Sequence, residues 1–185
     1  MSIEVKVEQL QKADIWLANV KDGVPKALAS ALNRTAQNIS AEAVRKTRET
    51  YDIKATDVRR TIRITKATKG NLTARVKSLG SAIPLIQFKV RPSKPLKRPP
   101  VVLTASVKRS GGKPIPGAFV STMKSGHTGV FERVGKERLP IRELFGPPTP
   151  VMLDEPGVRQ HIEEQAVIRL EKRLDHEILR LLGGD

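Results

Sequence analysis

His161 and Glu164 stand three residues apart in a stretch patterned as a helix, with His176 about four turns further on. An imidazole and a carboxylate at that spacing share a helix face and are two ligands toward a divalent metal. A catalytic metal needs three convergent protein ligands, and no matching cluster stands elsewhere, so the charged face of a helix is the simpler reading. His127, in a Gly-rich turn, reads the same way. A metal-dependent nuclease would need several carboxylates, and Asp52, Asp57 and Glu132 are the acids that flank the basic middle of the chain. Their spacing does not group them, and no cleavage is expected. Nucleophile and nucleotide motifs are missing too: there is no GxSxG, no GxxxxGK[ST] and no strand-borne GxGxxG. No cofactor is expected.

The chemistry the chain does offer is cationic. Its net charge of +15 is concentrated: residues 1–57 hold nine basic and eight acidic groups, 58–131 sixteen and none, and 132–185 nine and eleven. Ordinary surfaces intersperse the two signs, so an acid-free block of this length points to a polyanion or an acidic protein partner. Arg59, Arg60, Arg63, Lys94, Lys97, Arg98, Lys108, Arg109 and Lys113 are the candidate contacts. To phosphates they would give salt-dependent, sequence-blind affinity. To the acidic face of a neighbouring subunit they would give steering. Phe88 alone lies inside the basic strands before residue 115, so bases have few rings to stack on and duplex backbone is the better nucleic-acid target.

These residues need elements to hold them. Ile3, Val5 and Val7 alternate as in a short edge strand, and residues 8–20 suggest a short helix. Leu28, Leu32, Ala36, Ile39 and Ala43 mark one stripe of a long helix that starts near Pro25 and ends near Tyr51. A helical turn with Thr56 as its cap is expected next, then a hairpin of residues 61–67 and 72–79 carrying Arg63, Lys66, Arg75 and Lys77 on one side. Residues 83–90 and 101–107 read as strands. Between them RPSKPLKRPP, residues 91–100, reads as an extended basic arm, because four prolines leave no continuous donor row. A second basic turn, 108–114, is expected to reach away from the sheet.

Residues 115–141, IPGAFVSTMKSGHTGVFERVGKERLPI, read as a second hairpin with a charged exit. Phe119, Phe131, Arg133, Lys136 and Arg138 form a candidate subunit interface there, because a mixed-charge surface suits gripping another chain. Residues 142–157 look extended, and from Pro156 the residues Val158, Ile162, Ala166, Leu170, Leu174, Ile178 and Leu181 stripe a last long helix.

Composition agrees. A chain of 185 residues can bury roughly 70% of its unfolded surface, yet aromatics are only 3%, so the core must rest on Leu, Ile, Val and Ala. No cysteine means no disulfide and no thiolate metal site. No window approaches the ~20 apolar residues of a membrane span, and no secretory pattern opens the chain. A soluble protein without membrane contact is expected.

The order of ALNR at residues 31–34, IPGAF at 115–119, RVGK at 133–136 and LPI at 139–141, between two long helices, resembles the minor tail protein Z (tail completion protein) family of lambda-like long-tailed phages. The resemblance implies a non-enzymatic virion protein at the head-proximal end of the tail, assembled in the host cytoplasm. It implies terminator, tube, tape-measure and connector proteins as partners, a homo-oligomeric ring, and a link with the genome end, viral double-stranded DNA. The sequence-nonspecific binding of double-stranded nucleic acid is the alternative reading. The expected fold is α+β: a single domain over 1–185 in which a twisted antiparallel sheet (58–145, with the loop 91–100) lies between a helical part (1–57) and a linker with the C-terminal helix (146–185).

Overall fold

The computed structural model describes residues 17, 18, 20, 22–98 and 102–183, and the backbone alone at 2–5. The stripe of Leu28, Leu32, Ala36, Ile39 and Ala43 runs along helix α1, Gly23–Thr50, and all five side chains are buried. Its 28 residues extend for about 42 Å at the usual helical rise. Tyr51 ends it with extended backbone. Helix α2, Ala55–Arg59, begins two residues earlier than the sequence suggested: Lys54 stands at the cap position with no side-chain cap bond, and Thr56 lies inside the helix. The helix expected over residues 8–20 lies almost wholly outside the described residues.

Near the other end of the chain come helix α3, Thr149–Leu153, and helix α4, Pro156–Leu181. Val158, Ile162, Ala166, Leu170, Leu174 and Ile178 are all buried, and this face of α4 packs along α1. Each fully buried Leu or Ile contributes roughly 1.5–3 kcal/mol, so the paired stripes are a main source of stability. Helix α3 corrects the extended reading of 142–157. Pro150 sits in its first turn, where a missing N–H costs nothing, and Met152 and Leu153 reach the core.

The fold is α+β, and among the described residues its strands are shared among four small antiparallel sheets where the sequence suggested one. Strands β1 (Ser2–Val5), β2 (Ile62–Thr65) and β3 (Ala74–Ser78) form the first, in the order β1-β3-β2. The register Arg63↔Lys77 and Ile64↔Val76 turns Ile62 and Val76 into the core beside α1 and leaves Arg63 and Lys77 exposed opposite each other. Asn33, within the ALNR motif, clamps this hairpin to α1: its Nδ2 donates to Ala67 O at 3.0 Å, and Ala67 N donates to its Oδ1 at 2.7 Å.

The strand expected over 83–90 is broken. Strand β4, Ile83–Pro84, passes into a 3₁₀ turn, Leu85–Gln87, and then strand β5, Lys89–Arg91. A 3₁₀ turn eclipses positions three apart, so both Leu85 and Phe88 reach the core, which a straight strand would not allow. Strand β5 pairs with β6 (Val102–Ser106), and β6 with β7 (Lys113–Pro116). Proline cannot donate to a ladder, so the β6–β7 bonds run through Lys113 and Ile115, and Pro114 and Pro116 face outward along the sheet edge.

The hairpin read at 115–141 is present. Strands β8 (Phe119–Thr122) and β9 (Thr128–Arg133) pair with Phe119 opposite Phe131, and β10 (Ile141–Glu143) adds to β9. Strand β11, Phe145–Gly146, returns to β4. There Gly146 lies against Phe88, whose Cε2 would stand 2.5 Å from an added Cβ. One continuous cluster of buried apolar side chains joins α1 and α4 to the strands, from Leu28 through Val90, Leu103 and Val130 to Ile178.

Candidate functional site

Two carboxylates lie inside the α1–α4 seam. Glu42 of α1 is 5% exposed, and it is held by Arg45, by His161 Nε2 at 2.6 Å and by Arg169 Nη2 at 3.1 Å. The Arg45 hydrogen bond is the largest influence on Glu42; against the pull of burial, it and the other partners hold the carboxyl below its ordinary value. Glu177 of α4 is 1% exposed, with Arg173 and Arg180 guanidinium nitrogens at 2.8 Å. Burial works to raise it, yet Arg180, Ser30 and Arg173 together bring it below the ordinary value. These acids were missed in the sequence. Their signal was an Arg three residues along, Arg45 after Glu42 and Arg180 after Glu177.

A third carboxylate joins the helices to the basic sheet. Glu155, at the start of α4, accepts the Tyr51 hydroxyl and also Lys108 Nζ at 2.6 Å, and Lys108 lies 5.7 Å from the centre of the Tyr51 ring. The Lys108 ammonium holds the Glu155 carboxyl below its ordinary value, while burial and Glu155 push the Tyr51 hydroxyl well up. Beside it Asp52 Oδ2 accepts Ser106 Oγ–H at 2.6 Å, and Asp52 Oδ1 stands 3.8 Å from Arg109. Backbone bonds Asp52 N to Val107 O and Arg109 N to Thr50 O, both 2.9 Å, dock the same turn onto the end of α1. The turn that was expected to reach away from the sheet is thus tied down at 107–109. The reason is local: its two cations meet Glu155 and Asp52, which the sequence placed outside the acid-free block.

The remaining cations project. Arg59 is exposed at the end of α2; Arg60 reaches Asp57 at 3.5 Å and Gln87 at 3.2 Å; Arg63 donates to Arg60 O at 2.9 Å. These three stand together at the α2–β2 junction. Lys94, Lys97 and Arg98 are exposed on the loop that leaves β5, and none has an ion-pair partner among the described residues. Residues 99 and 100 lie outside the described residues. Lys113 stands with Lys108 at the rim of an open groove of about 670 Å³ floored by Leu85, Ala105 and Ile115.

At the hairpin, Phe119 is half-buried and Phe131 is buried behind it, ring centres 6.4 Å apart. Phe131 therefore supports the strand and does not present a surface. Arg133 lies over Phe119 at 5.8 Å, and Lys136 and Arg138 are exposed in the connection to β10, beside the exposed Val134 and Leu139.

Among the described residues no three His, Asp or Glu side chains converge to hold a metal. Asp57 pairs with Arg60, Glu132 with Arg142, and Glu164 accepts from Gln160. His176 lines a shallow cleft of about 370 Å³ with Asn38, Arg169, Lys172 and Arg173, a cationic setting. His127 pairs with Glu143 at 2.8 Å.

Self-neutralised helices joined to small sheets whose exposed loops carry unpaired cations describe a protein that meets other macromolecules over its surface. Residues 7–183 match the family model described as prophage minor tail protein Z (GPZ), and the chain belongs to that family of phage tail proteins. It is 32% identical to the tail completion protein Z of Escherichia phage lambda over 95% of this chain and 92% of that protein. No solved structure matches the chain.

Proposed function

We propose that this tail protein completes the head-proximal end of the phage tail and makes it competent for head joining. In this reading it is a non-enzymatic subunit of a homo-oligomeric ring in the virion, assembled in the host cytoplasm, that touches terminator, tube, tape-measure and connector proteins. The supporting observation is the division of charge. Lys108, Arg109 and Arg60, though exposed, are paired with Glu155, Asp52 and Asp57, while Arg59, Arg63, Lys94, Lys97 and Arg98 stand exposed with no carboxylate partner among the described residues, as does the hairpin surface of Arg133, Lys136 and Arg138. Cations held outward on several loops suit contact with several acidic neighbours, and such complementarity sets partner choice and encounter rate.

The test is a phage lacking the protein. Negative-stain images should show tubes of full length that fail to yield infectious particles; tubes of abnormal length would sink the reading. A second reading, contact with the duplex at the genome end, is favoured by Arg63 and Lys77, which face each other across β2 and β3 although like charges at that spacing repel. A steep fall of duplex affinity with salt, relieved by charge reversal at Arg59, Arg60 and Arg63, would support it.

A further inference from the structure

We infer that the outer face of the β5–β6 pair carries a binding pocket for a phosphate-type oxyanion, at the root of the proline-rich loop. The register fixes two cross-strand pairs there, Lys89 with Ser106 and Arg91 with Thr104, which places two cations and two hydroxyls on one side of the sheet. The turn after β6 folds over them. It brings Arg109 and the backbone of Gly111 and Gly112 to close a pocket of about 230 Å³.

The charges of this pocket are unequally committed. Its one carboxylate, Asp52, lines the pocket and is engaged by Ser106 Oγ–H and by Arg109, so the Ser106 hydroxyl hydrogen is committed and Arg109 is drawn to the rim. Lys89 and Arg91 are exposed and have no hydrogen-bond or ion-pair partner among the described residues. Three cations against one carboxylate leave a surplus of two positive charges around a concavity.

The loop is shaped for close approach. An added Cβ at Gly112 would stand 2.9 Å from Thr104 Cγ2, and Gly111 has φ +143°, where a side chain is strained. Glycine backbone closes over the Thr104 methyl group, and cations arrive from β5 and from the turn, so positive charge converges on the pocket from several directions. A tetrahedral oxyanion offers oxygens in several directions, whereas a planar carboxylate is met best by one guanidinium fork. The chemistry is that of a phosphate, whether a phosphodiester of nucleic acid or free phosphate, and it depends neither on the tail-end reading nor on the neighbour touched by each loop.

The experiment is a ¹⁵N-correlated NMR titration of the full-length chain with inorganic phosphate, with acetate at matched ionic strength, and with a short DNA duplex. Phosphate is expected to shift the Gly111, Gly112, Lys89 and Arg91 amides saturably, and acetate to leave them in place. Lys89→Ala with Arg91→Ala changes two exposed side chains and is expected to weaken the response at least about tenfold, as the loss of hydrogen bonds to a charged group implies. Lys124→Ala, in the β8–β9 turn, is expected to leave it unchanged. A duplex that moves the same amides at much lower concentration assigns the phosphate to nucleic acid; a response to inorganic phosphate alone assigns it to the free ion. Equal shifts with acetate, shifts scattered over the surface, or an unchanged response in the double variant would overturn the pocket. Each of these binding results is independent of whether tails lacking the protein can join heads.

Discussion

Tyr51 donates its hydroxyl hydrogen to Glu155 Oε2 at 2.8 Å, so the residue that ends α1 is bonded to the residue that precedes α4, 104 positions away in sequence. The same carboxylate takes Lys108 from the β6–β7 turn. Tyr51→Phe keeps the buried ring and removes only this bond. With Lys108 still holding Glu155, the loss should be about 1 kcal/mol, read as a lower urea midpoint at unchanged slope. An unchanged midpoint would show that the three elements are fixed by packing alone.

Acid should loosen the helix seam. Glu42 and Glu177 both titrate below the ordinary carboxylate value of 4.5, so the folded chain binds fewer protons than the unfolded one. The stability they give is present above that value and is lost as pH falls through the lower folded values. Unfolding midpoints should therefore drop on the acid side. The double variant Glu42→Gln, Glu177→Gln should be less stable at neutral pH and show a shallower acid limb; a limb as steep as that of the parent protein would place the sensitivity elsewhere.

Gly146→Ala inserts a methyl group against the Phe88 ring, between β11 and the 3₁₀ turn. Overpacking of this kind typically costs about 1–3 kcal/mol, so the melting temperature should fall by several degrees. Phe88→Leu, combined with it, should recover part of the loss by making room. Additive losses would argue against direct contact as the cause.

Lys94, Lys97 and Arg98 hold no partner among the described residues, so reversing all three to Glu should leave the melting temperature nearly unchanged. Complementation of a phage lacking the protein should nonetheless fail, if the loop grips an acidic neighbour. Normal plaque yield from the reversed chain would remove this loop from the assembly surface.

Much of the frame was legible because periodicity reports burial directly. The stripes from Leu28 to Ala43 and from Val158 to Ile178, the hairpin at Arg63 and Lys77 and the hairpin at Phe119 and Phe131 all follow from spacing that one buried face imposes. What spacing could not show was contact across the chain. Leu85 and Phe88 were read as strand residues because the 3₁₀ turn depends on what Leu144 and Gly146 offer it. Lys108 and Arg109 were read as free because Glu155 and Asp52 are 47 and 57 positions from them. Spacing puts Lys89 at the end of a strand and Arg91 in the basic arm, whereas both stand on β5, and two cations on a three-residue strand become a pocket only when the turn at Gly111 folds over them.

The outward prolines of β7 bear on how copies of the chain can meet. Pro114 and Pro116 offer a neighbour no backbone hydrogen along that edge, so a second copy cannot extend the sheet there strand on strand. Along this edge, contact with another copy is left to side chains.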